Sequence, residues 1–116
     1  MDIEFFDSVE QNYNKSPQYY REEFRDLIKS RRVALGMWPT EALLAAGGGI
    51  YKVKADPKKW QKNSNPIEVM KAQSISPDDS EIEIRFHNSW QFDGNFSANF
   101  VVHFKHGVAT DILEID

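Results

Sequence analysis

Apolar residues along this chain keep two different rhythms, and the change between them falls just before residue 50. In the first half the spacing is helical. "IEFFDSVEQNY" sets Ile3, Phe6, Val9 and Tyr13 on one face, which predicts a first helix. A second, longer helix is predicted from Ser16, which can cap it, and Pro17, which suits its first position. Tyr20, Phe24, Leu27, Ile28 and Arg31 then recur at the 3.6-residue period, with acids early and bases late, as the helix dipole favours. It should end near "KSRRVALG", where Val33 and Gly36 interrupt the pattern. "PTEALLAAGGG" predicts a third, shorter helix, begun by Pro39, with Glu41 in its first turn and Leu43 and Leu44 turned inward.

In the second half the period is two. "IYKVKA" alternates Ile50, Lys52 and Lys54 with Tyr51, Val53 and Ala55. "EIEIRF" sets Ile82, Ile84 and Phe86 against Glu81, Glu83 and Arg85, and "FSANFVVHF" sets Phe96, Ala98, Phe100, Val102 and Phe104 against Ser97, Asn99, Val101 and His103. Each has one apolar and one mostly wet face, the mark of an antiparallel sheet covered on one side. Asp93-Gly94 and His106-Gly107 supply hairpin turns, the second leading into "VATDILEI". Residues 56–80 follow neither rhythm cleanly. Asn65-Pro66 with Glu68 fits a capped helix start, whereas "PIEVMKAQSI" also fits an edge strand; the segment is expected to be irregular, with one short strand or turn of helix.

The fold class that results is α+β, with two or three N-terminal helices packed on one face of a three- to four-stranded antiparallel sheet. Residues 1–116 are expected to form a single domain, helical over 1–47 and strand-rich over 50–116. The triplet Gly47, Gly48 and Gly49 belongs to this frame. A phosphate cradle leads glycine-rich backbone into a helix N-terminus, whose free N–H groups face the anion. Here the glycines leave a helix C-terminus, so Gly47 is expected to be a left-handed cap.

Composition narrows the chemistry. The formal charge of −4 argues against nucleic acid as the main partner, because phosphate binding needs a basic surface. The absence of cysteine excludes disulfides, thiolate metal sites and cysteine nucleophiles. "MDIEFFDSVEQ" has neither a basic region nor an apolar run, and no window approaches the roughly 20 apolar residues of a membrane span, so a cytoplasmic protein is expected. Of the histidines, His103 and His106 stand three apart on a strand and its turn, a poor spacing for a shared metal, and His87 has no companion motif. No motif singles out a serine nucleophile, and Asp78-Asp79 sit in a polar turn where solvated acids are normal. No cofactor, metal or catalytic site is therefore expected.

Two binding features remain. Trp38, Trp60 and Trp90 are the candidates for contact with a protein partner, since exposed indoles are enriched at interface hot spots. "YKVKADPKKWQK" places Lys52, Lys54, Lys58, Lys59 and Lys62 among Tyr51 and Trp60. Interleaved bases and rings suit single-stranded nucleic acid, and equally a lysine-protected edge strand, which the acidic remainder of the chain favours.

The order "LIKSRRVALGMWPTEALLAAGG", then strands, then "VVHFKHGVATDIL" resembles the SmpA/BamE family of small α+β proteins, related in fold to β-lactamase-inhibitor proteins. Gly36 and Met37 match its turn into a helix, Gly47 its closing glycine, and Phe104, Gly107 and Val108 its last hairpin. Trp38 departs from the Thr or Ser usual there, and the lipidated cysteine of the lipoprotein branch is missing. The resemblance implies a non-catalytic role in binding another protein. Its alternative is a nuclear-transport-factor-2-like cone, whose helices and sheet would enclose a polar-floored pocket that binds or converts a small ligand.

Overall fold

The computed structural model describes residues 3–90 and 96–114, with side chains described for 3–86 and 99–114. Helix α1 spans Ile3–Lys15, two 3-10 turns follow at Pro17–Tyr19 and Glu22–Phe24, and α2 is Arg25–Lys29. Helix α3 is Pro39–Ala46, strand β1 Ile50–Lys54, helix α4 Pro66–Ile75, and strands β2, β3 and β4 are Glu81–Trp90, Phe96–Lys105 and Val108–Glu114. The sheet is antiparallel throughout, in the order β1-β2-β3-β4. The α+β class and the covered antiparallel sheet are as the sequence predicts.

Alternation sorts the strands into a buried and an open face. Ile82, Ile84 and Phe86 of β2 and Phe100, Val102 and Phe104 of β3 are buried against Val9, Tyr13, Ile28, Val33, Met37, Ala42, Ala45 and Met70. The Phe86 and Phe100 rings lie 5.3 Å apart in a tilted pair, which adds ring–ring attraction to the area buried. Helix α1 contributes Val9 and Tyr13 as expected, but Ile3 is exposed and Phe6 only half-buried. Ion pairs from Arg25 and Lys29 to Glu10 hold α1 against α2.

The long second helix does not form. Its backbone groups are taken by tertiary partners at the point where it should run through Tyr20. The Thr40 hydroxyl donates to Tyr19 O at 2.8 Å, Arg21 N donates to Glu41 Oε2 at 2.7 Å, and the Tyr13 hydroxyl donates to Arg21 O at 2.8 Å. Tyr20 and Arg21 are extended, and only Arg25–Lys29 remains α-helical. Residues 66–75, expected to be largely irregular, instead form the ten-residue helix α4, with the Asn65 side chain accepting from Ile67 N at 2.9 Å. Its buried face is Val69, Met70 and Gln73, so a polar residue occupies a core position and blurs the apolar rhythm.

The triplet after α3 resolves as a helix end. Gly47 has φ +81, and the N–H groups of Gly47 and Gly48 both donate to Leu43 O. Gly49 answers a different constraint, because a Cβ there would lie 2.8 Å from Arg85 O and 2.9 Å from Ile84 Cγ2. The two edges of the sheet are treated differently. At β4, Gly36 N donates to Ala109 O and Ala109 N to Met37 O, so the turn before α3 closes the base of that edge. Among the described residues, strand β1 pairs only with β2. The Asp93-Gly94 turn lies outside the described residues.

Gly49→Ala should destabilise the fold by about 1–3 kcal/mol through overpacking against the β2 backbone. The check is urea unfolding, in which Gly49→Ala moves the midpoint down and a polar change at an exposed position, Lys71→Ser, leaves it nearly in place.

Candidate functional site

Trp38 and Trp60, proposed from sequence as contacts for a partner, are each tied into a polar knot of the protein's own. At the first knot, Pro39 starts α3 and places Glu41 in its first turn, where the carboxylate reaches back to Trp38 N at 2.7 Å. This is half of a capping box; the indole itself offers no acceptor. The Glu41 side chain is fully buried and also accepts from Arg21 N, Nε and Nη2, at 2.7, 3.2 and 2.7 Å. Arg21 Nη2 further donates to Gly36 O at 2.7 Å. The guanidinium is sandwiched between Trp38, 4.1 Å from the ring centroid, and Phe24, 4.7 Å away. Trp38 is half-buried as one wall of that sandwich.

The second knot joins the loop after β1 to the loop after α4. Asp78 Oδ2 accepts from Trp60 Nε1 at 2.8 Å and pairs with Lys59 Nζ at 3.5 Å. Asp78 Oδ1 accepts from Ser80 N at 2.8 Å and from Gln73 Nε2 at 3.2 Å. Burial pushes the Asp78 carboxyl up, but hydrogen bonds from Ser80, Trp60 and Gln73 outweigh it and bring it from 3.8 down to about 2. Next to it, buried Asp56 accepts from Lys58 N and Asp79 N, and its own N–H donates to the Ser80 hydroxyl. The polar turn at Asp78-Asp79 is thus a set of satisfied caps. The Trp90 side chain lies outside the described residues.

The five lysines do not converge. Lys52 and Lys54 stand on the open face of β1, in register with Glu83 and Glu81, and Lys54 Nζ lies 3.9 Å from Glu81 Oε2. Lys59 folds back onto Asp78 and Ser76 O, while Lys58 and Lys62 are exposed in the loop. His103 lies 3.7 Å from Glu83 on the same open face, and His106 lies 3.1 Å from Asp79 in the last turn. Among the described residues, no group of three or more His, Asp or Glu is placed to hold a metal. No helix among them is long and apolar enough to cross a membrane.

Two hollows remain. One of about 390 Å³ lies over the open face, lined by Lys52, Lys54, Glu81, Glu83, His103 and Lys105, so lysines and carboxylates alternate around it. The other, about 310 Å³, is an apolar groove where α3, α4 and β1 meet, lined by Tyr20, Leu43, Leu44, Tyr51, Ile67 and Met70 beside Thr40 and Lys71. Thr40 is already spent on Tyr19 O, so the groove has few polar groups to offer a ligand. Ile67 is 44% exposed and Tyr51 37%. Uncompensated apolar surface costs solvation free energy, and this makes the groove the better candidate site. No helical or strand period announced it, since it is assembled from residues of four separate segments. Comparison of the chain with protein-family models, with curated proteins and with solved structures found no match.

Two outcomes are expected of the knots. Arg21→Ala should cost about 3 kcal/mol in thermal or urea unfolding by stranding the buried Glu41 carboxylate, and Arg21→Lys should recover little, because an ammonium cannot make the bidentate, stacked contact. Asp78 has a folded pKa below its unfolded value, so its contribution is complete above about pH 4 and is lost as pH falls through about 2. It amounts to about 2 kcal/mol, and acid titration of unfolding stability in Asp78→Asn should lack that part of the slope.

Proposed function

We propose that this chain is a small non-catalytic module that binds a protein partner through the face where β1, α3 and α4 meet. The observation that carries the reading is the apolar groove walled by Leu43, Leu44, Tyr51, Ile67 and Met70, open to solvent beside an edge strand. An apolar groove bordered by free strand edge suits a protein segment, which can fill it with side chains and hydrogen-bond along its rim. The core beneath is filled by Phe86, Phe100 and Phe104, and the groove floor is apolar, which favours this reading over a ligand-binding cone.

Kinship with the SmpA/BamE family is proposed on the same footing. The turn at Gly36 and Met37 into α3 and the closing Gly47 support it, and helix α4 between the first two strands is a feature the resemblance does not supply.

Affinity purification from the native lysate should recover a reproducible partner whose binding Ile67→Asp weakens by about 2 kcal/mol or more, as for a hot-spot residue. Leu113→Asp, an equally exposed apolar position on the far edge, should leave it unchanged. Recovery indifferent to Ile67→Asp, with circular dichroism showing both variants folded, overturns the reading.

A further inference from the structure

The open face of the sheet carries lysines and carboxylates in rows that run across the strands. One row runs Lys105, Glu81, Lys54; the next runs Asp111, His103, Glu83, Lys52. Both rows end on a lysine at β1. On the covered face the matching rows are apolar, Phe104, Ile82, Val53 and Val102, Ile84, Tyr51, and the second runs out at β1 in the wall of the groove. The sheet therefore stops at β1 with both patterns unfinished, whereas at β4 the base of the edge is closed by Gly36 and Met37.

Resting on the reading of this face as a protein-binding site, we propose that β1 accepts a fifth strand from the partner, an extended segment whose residues alternate acidic and apolar. Directly opposite side chains in an antiparallel pair stand about 4.5–5.5 Å apart at Cβ, close enough for a carboxylate to pair with Lys52 or Lys54. The intervening residues of the same strand turn to the other face, where Tyr51 and Ile67 line the groove. Backbone hydrogen bonds to β1 supply affinity that is blind to sequence, and the two side-chain rows supply selectivity.

The same lysines disfavour a second copy of this chain as the occupant. Antiparallel pairing of two β1 strands about Lys52 sets Lys52 against Lys52, and pairing about Val53 sets Lys52 against Lys54. Single-stranded nucleic acid fits the lysines but not the apolar row beside them, and its phosphates would also face Glu81 and Glu83.

The probe is a short end-capped peptide alternating Glu and Val, titrated into isotope-labelled protein and followed by NMR. Shifts should be confined to the amides of residues 50–54 and the methyls of Leu43, Leu44 and Ile67. A Lys–Val peptide should bind at least about tenfold more weakly. Reversing both charges in Lys52→Glu/Lys54→Glu should exchange that preference, and Lys52→Gln supplies a milder comparison should the double variant unfold. Equal binding of the two peptides, shifts centred on another edge, tighter binding of oligothymidylate at the same amides, or self-association through β1 in sedimentation each overturns the proposal. If neither peptide binds while the Ile67-dependent partner is still recovered, strand addition falls and the module reading stands; loss of both removes both.

Discussion

A carboxylate with no access to water dictates the geometry around it, and Glu41 holds that position here. Its oxygens are satisfied by the Arg21 backbone and guanidinium and by the Trp38 backbone, with the guanidinium reaching on to Gly36 O. These contacts fix three things at once: the extended pair between the two 3-10 turns, the turn that leads to α3, and the first turn of α3 itself. Each donor lost would leave a buried negative charge short of a partner, so the arrangement tolerates little drift. The position of α3 over the sheet, and with it one wall of the apolar groove, follows from this anchor.

A second polar cluster fixes the segment between the first two strands. Asp78 and Asp56 pin the loop after β1 to the loop after α4, so the long excursion between the first two strands returns to a fixed place. Helix α4 is held by what its ends are tied to as much as by its own buried face. Neither cluster supplies the lining of the groove, whose exposed apolar residues are Tyr51 and Ile67.

The sheet was legible in the sequence because alternation reports directly on a surface with one dry face: Ile82, Ile84, Phe100, Val102 and Phe104 are all buried as their period requires. The cap at Gly47 was legible for a similar reason, since it depends on neighbours in the chain. The broken second helix was not, because the groups that interrupt it are the side chains of Tyr13, Thr40 and Glu41, whose proximity no local pattern encodes. Helix α4 escapes the apolar rhythm because Gln73 sits inside, made acceptable by bonds to Val69 O and Asp78. The indoles of Trp38 and Trp60 looked like free surface for the same cause: their partners, Arg21 and Asp78, are remote in sequence.

The bonds joining Gly36 and Met37 to Ala109 also bear on how the chain is assembled. They connect the early helical region to the last strand, so this closure belongs among the contacts of long loop length that form late. Until it forms, the final hairpin presents a bare margin that no lysine row protects. That margin is therefore secured by contacts that close a long loop, whereas β1 meets β2 across a shorter one.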